Sequence, residues 1–249
     1  MKTYRTGEIA SLTGLHPNTI RMYEEIGFIA KPARLPNGYR VFTRFDLEQV
    51  RFCRLALRAE ALQNGLRDTA VAIIRLSAAS DFSRARQLTR EYIVQINCEI
   101  AFVEEAIQSV ETALTCHPHA ARSARKRREA AEVLGITVET LRNWERNGLI
   151  NDGQLRNGCR IYTAEDMKRL LIIRTLRCAN YSISSILRLM NSLSNSSEIN
   201  VQKTLDTPED TDEIVSVCDH LLSSLIGARN DAKKMFEQIR LMEKFKTLH

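Results

Sequence analysis

The chain has 249 residues and a formal net charge of +6, a balance that favours a polyanionic partner only weakly by itself. With 44% apolar and 27% charged residues it reads as an ordinary soluble globular protein with room for two domains, which excludes a disordered or fibrous chain. No apolar run reaches membrane-span length, the N-terminal MKTYRTGEIA has no signal-peptide core, and the six scattered Cys form no CxxC pair, so a cytoplasmic protein with free thiols and no membrane partner is expected.

In chain order, Glu8 to Leu12 is expected as a short helix, with Gly14 placed to turn the chain after it. Pro17 suits the first position of a second helix, where its missing N–H costs nothing. Gly27 supplies a left-handed stop. The pair Asn37-Gly38 favours a type I′ hairpin, with a short strand around Tyr39–Phe42. Thr43 and Asp46 have the spacing of a capping residue and an acidic third residue, opening a third helix. Helix, turn, helix, hairpin, helix is the order of a winged helix-turn-helix.

Farther along, Ile93, Ile96, Ile100, Val103, Ile107, Val110 and Leu114 alternate spacings of 3 and 4. That is a coiled-coil seam over three heptads, about 30 Å long at helical rise. Pro118 breaks this helix inside TCHPHAARSA, residues Thr115 to Ala124. The run RSARKRR follows, with five basic residues in seven. It can lie along phosphates or serve as a solvated linker.

The sequence then repeats itself. LGITVETLRNWERNGLI, from Leu134 to Ile150, matches TGLHPNTIRMYEEIGFI, from Thr13 to Ile29, at an offset of 121. Glu8, Thr19, Arg21, Glu24 and Gly27 meet Glu129, Thr140, Arg142, Glu145 and Gly148, and Tyr23 meets Trp144. At the hairpin the offset is 120, and Asn37, Gly38, Arg40, Thr43 and Asp46 meet Asn157, Gly158, Arg160, Thr163 and Asp166. Thr137 can cap the second copy's second helix, and a strand is expected around Cys159–Tyr162. Chance does not align turn residues, caps and arginines together.

Beyond the second copy, residues Asn191 to Asp206 are rich in Ser and Asn and are expected to form a mobile connector. A last helix is expected from Thr207, Pro208 and Asp210. Its seam is Ile214, Cys218, Leu221, Leu225, Ala228, Ala232, Met235, Ile239 and Met242. Cys53, Cys98, Cys178 and Cys218 sit at helical, mostly apolar spacings and are expected in the core.

TGEIASLTGLHPNTIRMYEEIGFI…NGYRVF and REAAEVLGITVETLRNWERNGLI…NGCRIY each resemble the DNA-binding domain of MerR-type transcription regulators. ANYSISSILRLM looks like that family's fourth helix, with Ser182 as its cap. The resemblance covers residues 3–77 and 125–193. It implies an all-α fold with small β wings: two winged helix-turn-helix domains, each followed by a long coiled-coil helix, the two helices paired antiparallel. The expected divisions are a first winged domain over 1–80, a long helix over 81–115 and a linker over 116–124. A second winged domain over 125–193, a flexible linker over 194–206 and a C-terminal helix over 207–249 complete them. Either the chain is an internal pseudo-dimer, or two chains pair as a homodimer with four reading units.

A recognition helix points its N-terminal part at base edges. Asn18, Thr19 and Arg21 face outward if Ile20 and Tyr23 face the core. Glu139, Thr140 and Arg142 are their counterparts, with Leu141 and Trp144 inward. Arginine can bond two acceptors on guanine, or a phosphate, or instead sit in a salt bridge on a solvated face. The resemblance implies that Arg40 and Arg160 grip phosphate from the wing and that Tyr39 joins them, the alternative for Tyr39 being hairpin packing. Arg44 is a weaker phosphate candidate, with Ala164 in its place in the second copy. Met22 and Asn143 stand where the family has an aromatic residue. Cys159 replaces Tyr39, and Glu139 repels phosphate but can accept from cytosine. The two halves are therefore expected to read unequal half-sites of an imperfect palindrome.

The implied partners are double-stranded promoter DNA, distorted at an untouched centre, and RNA polymerase. Cys116, His117 and His119 can be soft metal ligands, but no second cluster accompanies them, so no metal or other cofactor is assigned and the effector stays unknown. No nucleophile–base pair, phosphate loop or paired acidic site marks an enzyme. A scaffold built from the same repeats, without DNA binding, and a nucleoid or phage-type factor that binds DNA without gating a promoter are the remaining alternatives.

Overall fold

The computed structural model describes residues 2–58, 65–115, 124–150, 155–156, 159–195, 199–207 and 220–247. The chain divides into two units, Met1–Glu99 with Ser224–His249, and Ile100–Ser223.

The first unit opens with α1 (Thr6–Thr13), α2 (Pro17–Glu25), β1 (Ala33–Arg34), β2 (Arg40–Val41), α3 (Arg44–Ala56) and α4 (Leu66–Ala78). α1 starts where the Glu8 carboxylate accepts the Arg5 N–H at 2.6 Å, filling one of the donors that a helix start leaves open. It ends at Gly14, whose φ of 64° turns its N–H back onto the carbonyls of Ala10 and Ser11. α2 has Pro17 at its first position, as expected, and His16 as its cap, with Nδ1 accepting the Asn18 N–H at 3.2 Å. α3 carries the anticipated reciprocal cap: Asp46 accepts the Thr43 N–H at 2.6 Å and Thr43 Oγ1 accepts the Asp46 N–H at 3.3 Å. Ile9, Ile20, Phe42, Val50, Phe52, Ile73 and Ile74 form a core that excludes water.

The long helix α5 (Phe82–Thr115) begins in this unit, and the last helix, α11 (Leu221–Thr247), lies mostly in it. Arg86 of α5 makes an ion pair with Glu243, and the Arg90 guanidinium sits 5.1 Å from the Phe236 ring centre. α11 also reaches α3. Gln238 Nε2 donates to Glu48 Oε2 at 2.7 Å, and Arg44 lies over the Phe245 ring.

The second unit takes up the end of α5 and repeats the plan. β3 (Arg125–Lys126) leads into α6 (Arg127–Leu134), α7 (Val138–Arg146), β4 (Leu155–Arg156), β5 (Cys159–Tyr162), α8 (Ala164–Cys178), α9 (Ile183–Asn195) and α10 (Val201–Asp206). Pairing of Arg125 with Tyr162 matches the Tyr4–Phe42 bridge of the first unit at the repeat offset. Gly135, at φ 62°, ends α6 as Gly14 ends α1. Thr163 and Asp166 repeat the reciprocal cap, and Ser182 Oγ accepts the Ser185 N–H at 2.9 Å, as expected of a cap. Lys168 Nζ of α8 donates to the Leu114 carbonyl of α5 at 3.3 Å.

Several expectations need correction. In the first hairpin Arg34 pairs with Arg40, so the loop runs from Leu35 to Tyr39 rather than through a two-residue type I′ turn. The Gly38 N–H returns to the Leu35 carbonyl at 2.8 Å, and only Gly38 has positive φ, at 82°. Pro36 accounts for this, since its fixed negative φ suits the first corner of an ordinary turn, with the left-handed residue following. In the second hairpin Arg156 pairs with Cys159, and Asn157 and Gly158 lie outside the described residues. The connector expected to be mobile instead contains the end of α9 and all of α10. Val201 and Leu205, one turn apart, are buried as α10 packs on α9, and Asn200 caps α10 by accepting the Lys203 N–H at 2.8 Å. The basic run is not a simple linker, because Arg125 and Lys126 pair in β3 and Arg127 opens α6.

The α5 seam is buried at Ile96, Ile100, Val103, Ile107 and Val110, and extends back through Tyr92, Thr89 and Ala85. Ile93 and Leu114 are half-buried at its margin. In α11 the buried stripe holds Leu221, Leu225, Ala228, Ala232, Met235, Ile239 and Met242, as expected. Ile214, Cys218, Pro208 and Asp210 lie outside the described residues. Cys53 is buried, but Cys98 and Cys178 are exposed. Cys98 falls between the seam residues Ile96 and Ile100, on the helix's outer face, which apolar spacing alone did not reveal.

Candidate nucleic-acid interface

Helices α2 and α7 each bury one face and offer the other. Ile20 and Leu141 have no exposed surface and Tyr23 and Trp144 almost none, so residues on the opposite side face solvent. On α2, Asn18 and Arg21 are exposed and Thr19 is half-buried. Arg21 Nη1 donates to Asn18 Oδ1 at 3.3 Å. On α7, Glu139 and Arg142 are exposed and Thr140 is half-buried, its hydroxyl 2.8 Å from that of Thr137. Glu139 pairs with Arg142 at 3.2 Å and with Arg146 at 2.7 Å. Sequence reasoning did not single out Arg146, because Glu25 occupies its place in the first copy.

The hairpin arginines are arranged differently from those on α2 and α7. Arg40 Nε donates to Glu24 of α2, with its side chain 22% exposed. The other oxygen of Glu24 lies 3.6 Å from Arg34. In the second unit Arg160 Nε is 3.7 Å from Glu145 of α7, with its side chain 12% exposed. Glu145 also accepts from Arg127 at 3.0 and 3.3 Å and from the Tyr162 hydroxyl. In both units a carboxylate on the second helix of the repeat, α2 or α7, therefore ties the hairpin to that helix. The sequence signal was there, since Glu24 and Glu145 match across the repeat just as the arginines do.

Burial pushes the Tyr162 phenol up to about 12, and its hydrogen bond to Glu145 adds to the rise. Arg127 is raised by its own hydrogen bonds with Tyr162 and Glu145. The Tyr162 phenol therefore stays neutral at neutral pH, in a cluster with Glu145, Arg127 and Arg160 that forms a joint between hairpin and helix.

Tyr39 stands apart, 66% exposed beside the hairpin turn, with its N–H donated to Asn37 Oδ1 at 3.3 Å. Arg44 is drawn elsewhere: Nε donates to Glu48 at 2.9 Å and the guanidinium lies 5.5 Å from the Phe245 ring centre. The structure thus groups Asn18, Thr19 and Arg21 on one helix face, groups Glu139, Thr140 and Arg142 on another, fastens Arg40 and Arg160 to those helices, and holds Arg44 against α3 and α11. Cys116, His117 and His119 lie outside the described residues. Among the described residues no cluster of three His, Cys, Asp or Glu side chains can hold a metal ion, and no helix is long and apolar enough to cross a membrane.

Comparison with known proteins finds the same duplication. Residues 126–193 match the family described as "MerR HTH family regulatory protein", and residues 5–42 match "MerR family regulatory protein". The chain is similar to the mercuric resistance operon regulatory protein of Bacillus cereus, 35% identical over 51 residues, which is 20% of this chain and 39% of that protein. It is 38% identical over 53 residues to the HTH-type transcriptional regulator ZntR of Escherichia coli strain K12, covering 21% and 38%. It is 41% identical over 49 residues to the HTH-type transcriptional regulator CueR of Escherichia coli O6:H1, covering 20% and 36%. The chain thus spans less than two-fifths of the length of these relatives. No solved structure matches it.

Proposed function

We propose that this chain, a MerR-type helix-turn-helix protein with two MerR-like regions, is a transcription regulator that binds double-stranded promoter DNA through both regions. α2 and α7 enter successive major grooves, and the wings with Tyr39 follow the flanking backbone. The half-sites form an imperfect palindrome, because the two outward faces differ. The centre between them is untouched and is bent or untwisted, a deformation offset by the phosphate contacts on either side. RNA polymerase then engages the altered promoter.

The observation that carries this reading is the duplicated helix with a buried apolar side and an exposed, arginine-bearing side, joined to its wing by the same carboxylate in each unit. A second arrangement supports the chain acting as its own pseudo-dimer. α11, which follows the second winged domain, packs on the first through Gln238 and Phe245. α5, which follows the first, meets the second through Leu114. The contacts of Arg86 with Glu243 and Arg90 with Phe236 run in opposite residue order along the two helices, which supports an antiparallel coiled coil.

Arg21→Ala should weaken specific binding by about 1–3 kcal/mol, and raising salt from about 50 to 200 mM should cut wild-type affinity by orders of magnitude. Electrophoretic mobility titrations measure both. A flat salt response with affinity unchanged in the variant favours the protein–protein scaffold.

A further inference from the structure

The outward stripes of α2 and α7 occupy the same repeat positions, but their charges run in opposite order. Along α2 the stripe is Asn18, Arg21, Glu25; along α7 it is Glu139, Arg142, Arg146. Residues at these spacings share one helix face. The anion sits at the far end of the first stripe and at the N-terminal end of the second, where a recognition helix meets base edges. In α2 the leading position is a neutral amide that accepts one bond from Arg21. In α7 it is a carboxylate held between two guanidinium groups, with Oε2 toward Arg142 and Oε1 toward Arg146.

We infer that Glu139 is the specificity-determining residue of the second reading helix, positioned by Arg142 and Arg146 to demand a cytosine at its site; this rests on the DNA-binding reading above. A carboxylate can only accept hydrogen bonds, and in the major groove cytosine shows only a donor, its N4 amino group, whereas adenine sets its N6 donor beside the N7 acceptor, which repels a carboxylate. Opposite cytosine, Glu139 gains a partner. Opposite the N7 and O6 acceptors of guanine it gains none and stays in the negative potential of the phosphates. Arg142 and Arg146 fix the carboxylate's direction and offset its charge, so the cost falls on wrong bases more than on DNA as a whole. With a neutral Asn18 in the leading place, the first helix has no such filter. It supplies affinity, and the second supplies discrimination.

The test is selection of bound sequences from a randomised duplex pool by the wild-type chain and by Glu139→Gln, with non-specific affinity measured on random duplex and thermal melting as a check of the fold. The wild-type pool should fix a cytosine in one half-site only. Glu139→Gln should lose that cytosine and keep the other half-site, while its non-specific affinity rises by about threefold to tenfold as one negative charge leaves the groove. Arg146→Ala, which frees the carboxylate on one side, should broaden the same position without removing the other half-site. Enrichment of the same cytosine by Glu139→Gln, with melting unchanged, overturns the inference while leaving DNA binding intact. A wild-type chain that enriches nothing overturns the DNA-binding reading itself.

Discussion

Glu24 and Glu145 each neutralise more than one cation in surroundings with little water. Removing such a carboxylate strands the charges it served. Glu145→Gln should therefore destabilise the second unit by about 2–3 kcal/mol, less than a fully buried pair because Arg127 keeps partial access to solvent. Glu24→Gln should cost less, since Arg34 is more than half exposed. Urea denaturation of the two variants measures this, and equal losses or none contradict the joint. The phenols give a pH signature. Burial raises Tyr92 and Tyr162 from the ordinary value near 10 to about 12, helped by Asp231 and Glu145 respectively. A folded-state value above the unfolded one means stability that is whole below pH 10 and is lost as pH rises toward 12. The melting temperature should fall across that window, and less steeply in Tyr162→Phe. A drop that is just as steep without the Tyr162 hydroxyl contradicts its part in the cluster.

Within elements, the seam of α5 is the feature most open to a single substitution. Ile96 has no exposed surface, and a carboxylate there would be buried without a partner, at a cost of several kcal/mol. Ile96→Asp should lower the melting temperature sharply and abolish DNA binding, while Val94→Asp, on the exposed side, should do neither. If both variants melt alike, the seam is misassigned. Much at this scale was legible beforehand, because it depends on local chemistry. The proline start of α2, the Thr–Asp caps of α3 and α8, the inward Tyr23 and Trp144 and the α11 stripe all follow from residues a few positions apart. What was not legible depends on longer range. Pro36 displaced the expected type I′ turn, and Val201 with Leu205 made a helix in a stretch whose composition suggested none. The tie from Glu24 to Arg40 spans sixteen positions, so neither residue's own neighbourhood announces it and only the match of Glu24 with Glu145 and of Arg40 with Arg160 across the repeat hints at it. Cys98 and Cys178 show the converse error, where helical spacing alone did not settle which side of the helix a residue takes.

At the scale of the whole chain, the internal repeat is the strongest signal, and it was visible as a fixed offset in the sequence. On the proposed function, its consequence is that a single chain of 28.4 kDa supplies both of the helices for which a homodimer would otherwise be needed. The claim is tested most directly by hydroxyl-radical footprinting on a selected duplex while the chain is titrated, with the mass of the complex followed by equilibrium sedimentation. Two protected patches, about 34 Å apart along one face of the duplex, are expected to fill together as one chain binds. Patches that fill at different concentrations, or a complex that holds two chains, would contradict the claim.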